Sequence, residues 1–89
     1  MFDQAQEARR LLQVGRRGIA MVMSVRDTGV IVGENPETEL ELCIALDGQN
    51  PYKVTHRQVI SKLAIGSLCP GAKVPIRVDP RDPLKVIVA

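Results

Sequence analysis

The triplet Asp27-Thr28-Gly29, set between the apolar runs "IAMVMSV" and "VIV", is the first place in this 89-residue chain where residue type and spacing could do chemistry. Two aspartates a hydrogen bond apart can share a proton and activate water, and a dimer axis would let one copy per chain suffice. The same residues are also what a tight turn selects, Asp for its side-chain bond back to the backbone and Gly for positive φ. His56 is the only histidine, so a Ser-His or Cys-His pair would have to use it, with Cys43 or Cys69 as the thiol. Asp79 and Asp82 in "VDPRDP" offer two oxygen donors, whereas a calcium loop needs several more, so they are read as closing a turn. Two cysteines and one histidine cannot complete the usual zinc sets, and no glycine-rich phosphate loop is present. No metal or other cofactor is expected.

In length, β-rich character and early Asp-Thr-Gly, the chain superficially resembles the retroviral-type aspartic proteases, which are homodimers with one such loop per subunit. That family follows the triplet with Ala or Ser, whereas Val30 stands here. Its glycine-rich flap has no counterpart in "GENPE" or "DGQNPY", and "LAIG" is at best an echo of its bracing segment. The triplet is therefore read as a turn and the protein as non-enzymatic.

Eighty-nine residues make one domain, near the size at which a single core suffices but is not generous. Hydrophobic residues are 45% of the chain, yet only Phe2 and Tyr52 are aromatic, so the core must come from Val, Ile, Leu and Met. That favours strands. No apolar run reaches the roughly 18 residues of a spanning helix. The charged start "MFDQAQEARR" is unlike a signal peptide, so a cytoplasmic protein with free thiols is expected. The net charge of +2 hides segregation: residues 34 to 47 carry five acidic groups and no basic one, and residues 53 to 85 carry seven Lys or Arg against two Asp. Opposite fields of this kind could steer copies of the chain together.

The elements follow from the periodicities. Residues 3 to 14 lack Gly and Pro, with Asp3 placed to cap and Gly15 to stop, and predict a helix with Ala5, Ala8 and Leu12 on one stripe and Phe2 and Leu11 at its edges. Arg9, Arg10, Arg16 and Arg17 give a basic cluster read as solvated. From Gly18 the pattern is that of strands: 19 to 25, 30 to 32, "ELELCIALDG" with Leu40, Leu42, Ile44 and Leu46 on one face, "YKVTHRQV", "KVPIRVD" and "LKVIVA". Between the fourth and fifth, Leu63, Ile65 and Leu68 are expected to plug one end of the core. The expectation is a mainly β fold: a small six-stranded OB-like or SH3-like barrel at 16–89, with one N-terminal α-helix at 1–15, in a single domain.

The stretch from Gly18 to Val32, then "NPETELELCIAL", "PYKVTHRQVIS" and "PGAKVPIRVDPRDPLKV", resembles a family of small bacterial β-barrel domains of unknown function. The likeness covers about residues 15 to 88. Its marks are a strand with a Thr-Gly turn and a closing element in which alternating apolar residues run into Asp-Pro-x-x-Pro. The resemblance implies a fold and supplies no activity.

One feature does not fit a lone barrel with a wet exterior. Opposite the core side, Ala20, Val22, Ile31, Cys43, Ala45 and Ile87 are expected to form an apolar patch that the helix or a second copy must cover. The protein is accordingly read as an interaction or self-assembly module, a homo-oligomer or the binder of another protein, with Phe2, Ala5, Ala8, Leu12, Val22 and Ile31 as the contact residues. Nucleic-acid binding is the alternative, because small barrels often bind it. A single Tyr on the strands and five acidic groups on one hairpin argue against it.

Overall fold

A computed structural model describes residues 4 to 89, with side chains from residue 6 onward. The elements are α1 (Gln4–Val14), β1 (Arg16–Val32), β2 (Asn35–Ala45), β3 (Tyr52–Val59), a 3₁₀ turn η1 (Ile65–Ser67), β4 (Lys73–Asp79) and β5 (Asp82–Val88). The strands form one antiparallel sheet in the order β3-β2-β1-β4-β5, curled until its two edges nearly meet. Among the described residues there are five strands, not six.

The missing strand is explained by the Asp-Thr-Gly triplet. Residues 27 to 29 do not reverse the chain; they form a bulge inside the single long strand β1. Asp27 is opposite Thr38 and Ile31 opposite Pro36, so β1 advances four residues where β2 advances two. The local chemistry is the expected one. Asp27 Oδ1 accepts from the Gly29 N–H at 2.8 Å, and Gly29 has φ +87°, a conformation that an L side chain rarely adopts. Thr28 Oγ1 donates to Glu37 Oε1 at 2.9 Å and ties the bulge to β2. The strand resumes because Val30, Ile31 and Val32 again suit extended backbone. The actual reversal comes at Gly33-Glu34, between the paired residues Val32 and Asn35.

The core lies inside the curl and is aliphatic, as the composition requires. Val22, Leu40, Leu42, Ile44, Ile76 and Val78 are each less than 2% exposed, and burying such a side chain is worth roughly 1.5–3 kcal/mol. The two-residue period of β2 selects its inner face as expected. In β1 the assignment differs: Ala20 and Val22 point inward and are fully buried, so they belong to the core rather than to an outer patch. Of the three residues expected to plug the barrel end, Leu68 is buried and Ile65 packs against the core, joined by Ile60. Leu63 is instead 97% exposed. Its side chain falls on the turn preceding η1, and Ile60 takes the inward place.

The curl is closed by side chains. The Gln58 amide donates to Val88 C=O at 3.3 Å and accepts from Val88 N–H at 3.0 Å. At the other end, Tyr52 Oη donates to Pro83 C=O at 2.9 Å. Because Tyr52 meets Pro83 and Gln58 meets Val88, β3 and β5 run parallel across this seam.

Helix α1 lies against β4 and β5. It ends where Gly15 N–H bonds Leu11 C=O at 2.8 Å and the chain turns directly into β1. A Cβ at Gly15 would sit 2.4 Å from the Leu11 carbonyl oxygen and 2.9 Å from Arg77 Cβ, so only glycine allows the approach. Leu11 and Ile87, 4% and 9% exposed, are buried apart from the main core, on the side where the helix lies over the sheet.

Candidate functional site

Two surfaces could support function, and both follow from this closure. The first is a groove of about 620 Å³ along the β3–β5 seam, walled by Ala8 and Leu11 of α1, Leu84 and Val86 of β5, and His56 and Val59 of β3. This volume is in the range of small-ligand sites. His56 is half-buried, and burial pushes its pKa below the ordinary histidine value, partly opposed by the hydrogen bond between Nε2 and Gln58 Oε1 at 2.8 Å. The Gln58 amide is thus shared between the seam and the histidine. Among the described residues no buried side-chain polar atom lacks a hydrogen-bond partner.

On the rim of the groove, Arg10 joins the helix to the barrel. It donates to Glu7 and, at 2.6 Å, to Asp79, whose carboxylate is 8% exposed. Asp79 also accepts from the Arg81 N–H at 2.8 Å. The Arg10 guanidinium, and then the Arg81 N–H, hold the Asp79 pKa below the usual carboxylate range, and Arg10 does the same for Glu7. Arg10 therefore leaves the expected solvated basic cluster and docks α1. Asp82 Oδ1 accepts from Leu84 N–H at 3.0 Å, so both aspartates of "VDPRDP" shape the β4–β5 turn.

The second surface is the outer face of the sheet beside the helix. Cross-strand partners share a face, and the register places them in rows across the strands. Pro75, Ile19 and Ala45 form one row, and Lys73, Met21, Cys43 and Lys53 the next. Below these the register slips between Val22 and Ser24, which brings Met23 and Ser24 beside Glu41 and Thr55. Then come Arg26, Glu39 and Arg57, where Glu39 accepts from Arg26 at 2.9 Å and Arg57 at 3.0 Å. These two bonds, Arg57 first, hold the Glu39 carboxyl below its usual range.

The centre of this face is apolar and open. Ile19, Met21 and Met23 are 47%, 37% and 39% exposed, Ala45 is exposed and Cys43 half-buried. Among the described residues the helix lies over the β4–β5 side.

The predicted contact residues scatter across the molecule. Ile31 is 66% exposed on the arm of β1 and Leu12 is 44% exposed on the helix. Ala8 is half-buried in the wall of the groove. Val22 is in the core and cannot touch a partner. Phe2 and the Ala5 side chain lie outside the described residues. Of the expected patch, Ile87 is covered by the helix, and Cys43 and Ala45 do lie on the open face. Ile19, Met21 and Met23 were missed because "IAMVMSV" is apolar at every position but one, so its sequence carries no sign of which parity faces out. The pairing with Pro75, Lys73 and Ala45 decides it.

Asp27 is exposed and engaged with its own loop. Cys43 faces outward while His56, opposite Leu40, faces inward, so those two do not meet. Both cysteines are free, and Cys69 is exposed on the β3–β4 connection. No grouping of three or more His, Cys, Asp or Glu suited to a metal ion occurs among the described residues. No helix among them is long and apolar enough to cross a membrane. No protein-family model, curated protein or solved structure matches this chain.

Proposed function

We propose that this chain is a non-enzymatic interaction module, a small barrel of the OB-like kind, that associates with itself through the outer face of β1 and β2. The observation that carries the reading is the exposed apolar centre formed by Ile19, Met21 and Met23, which the helix leaves uncovered. Contiguous apolar patches rimmed by polar residues mark contact surfaces. The OB-like assignment is supported by a first strand shared between both halves of the sheet and by the parallel meeting of β3 and β5. The resemblance to small bacterial β-barrel domains points the same way.

The nucleic-acid alternative draws on the habit of OB-like barrels of binding oligonucleotides on the face of the second and third strands. Here that face is of mixed charge, with Glu37, Glu39 and Glu41 beside Lys53 and Arg57 and Glu39 paired to Arg26 and Arg57, and the hydroxyl of Tyr52 is used in the seam. The lack of stacking platforms favours a protein partner.

The test is sedimentation or light scattering across micromolar concentrations, with the Met21→Glu variant alongside. Self-association of the parent and its loss in the variant, with an unchanged circular dichroism spectrum, are expected. A parent that stays monomeric at high micromolar concentration refutes the reading.

A further inference from the structure

The two sides of the apolar face differ in charge, and this difference selects one arrangement of two copies. Arg17 lies on β1 one row before Ile19, opposite Arg77. Lys73 and Lys53 flank the Met21 row at its two ends. Glu41 lies one row beyond, between Ser24 and Thr55. Among the described residues, Arg17, Lys53, Lys73 and Glu41 enter no salt bridge. They are available to a partner.

A closed pair of identical faces needs a two-fold axis in the plane between them. An axis along the strands keeps each row opposite its own copy, which sets the Lys73 end against the partner's Lys53 end and the Arg17 rows against each other. Like charges would then meet at the rim. An axis across the strands, centred between the Ile19 and Met21 rows, instead reverses the row order. The Ile19 row then covers the Met21 row of the second copy, and the Arg17 row falls on the row that holds Glu41. Each Arg17 approaches a Glu41 of the second copy, twice by symmetry.

The helix fits the same arrangement. It rises over β4 and β5 on the Arg77 and Asp79 side, and β4 begins at Lys73. With the rows reversed, no β4 strand of the second copy lies opposite the helix. Aligned sheets pack about 10 Å apart with a modest crossing angle, so the rows next to the axis keep this correspondence despite the twist.

We infer that two copies pair outer face to outer face with β1 running antiparallel to β1, apolar rows in the centre and Arg17 against the second copy's Glu41. This rests on the proposed self-association and specifies its geometry. Because the pairs lie at a solvated rim, they set orientation more than affinity.

Charge reversal tests it in the 89-residue chain, with the dissociation constant read by sedimentation at low salt. Arg17→Glu and Glu41→Arg should each weaken the dimer about tenfold, since a modest rim contact is replaced by repulsion at two symmetric places. The double variant should return to within about threefold of the parent, because the exchanged charges attract again. Circular dichroism and urea midpoints check that each variant folds, and Arg17→Gln with Glu41→Gln offers a milder neutral pair if a reversal does not. A dimer that Met21→Glu dissociates but neither reversal affects overturns the antiparallel arrangement and leaves self-association standing. Weakening by both singles without recovery in the double also overturns it. A monomeric parent removes both.

Discussion

Replacing Gln58 by alanine opens the seam between β3 and β5 at one end. In the native chain the Gln58 amide behaves like a peptide group of a missing ladder: it accepts from Val88 N–H at 3.0 Å, donates to Val88 C=O at 3.3 Å and shares its oxygen with His56 Nε2 at 2.8 Å. Each such bond contributes about 0.5–1.5 kcal/mol net, so three give roughly 1.5–4.5 kcal/mol. The groove admits water to a half-buried site, which can satisfy the freed groups, so the expected loss is about 2 kcal/mol. Urea unfolding followed by circular dichroism measures it, and hydrogen exchange at the Val88 amide localises it. The glutamate variant sharpens the test, because it keeps the acceptor and places a negative charge on His56. The His56 pKa, now depressed by burial, should rise. In the parent, the unfolded chain binds the proton more readily, so this contribution to stability is full above about pH 6.5 and declines as pH falls through that value toward the lower folded pKa. In Gln58→Glu that depression should shrink, and with it the loss of stability as pH falls through this window. A Gln58→Ala midpoint within about 0.5 kcal/mol of the parent, below the range of even one such bond, would refute the clasp.

The helix and bulge give further expectations. Asp79→Asn should loosen α1 and hasten proteolysis near Gly15, and in the parent the same loosening should set in below about pH 4, because carboxylates with depressed pKa values stabilise above their unfolded pKa and cease to as pH falls through the folded one. Rapid cleavage at pH 7 in parent and variant alike would show that Arg10 does not hold the helix. Gly15→Ala should expose Leu11 and Ile87, seen as binding of a hydrophobic dye, because its Cβ has no room beside Leu11 C=O and Arg77. Asp27→Ala should cost about 1 kcal/mol, the worth of one side-chain bond to the backbone, and leave self-association intact. Abolished association would give the triplet a role beyond shaping β1.

Much of the fold could be read in the chain because several elements announce themselves locally. The alternation of Leu40, Leu42, Ile44 and Leu46 fixes which side of β2 is buried, since the period of a strand is two and the intervening residues are acidic or small. The helix is visible in its good helix formers and its terminal glycine. The chemistry of Asp27 and Gly29 is equally local, a side-chain bond and a positive φ, and is as expected.

What those residues accomplish is not local. A bulge and a turn use the same Asp and Gly, and only pairing on both sides of the triplet with β2 makes β1 one strand instead of two. Residues 19 to 23 are apolar throughout, so either parity could have faced the core; the register with β2 and β4 places Ala20 and Val22 inside and leaves Ile19, Met21 and Met23 in solvent. The pairing of Arg10 with Asp79, 69 positions apart, likewise exists only after the sheet has curled. By itself the sequence determined periods, caps and turn chemistry, which depend on neighbours along the chain. The tertiary structure decided which face is open and what the charges meet, because those depend on strand register, a property of residues far apart in sequence.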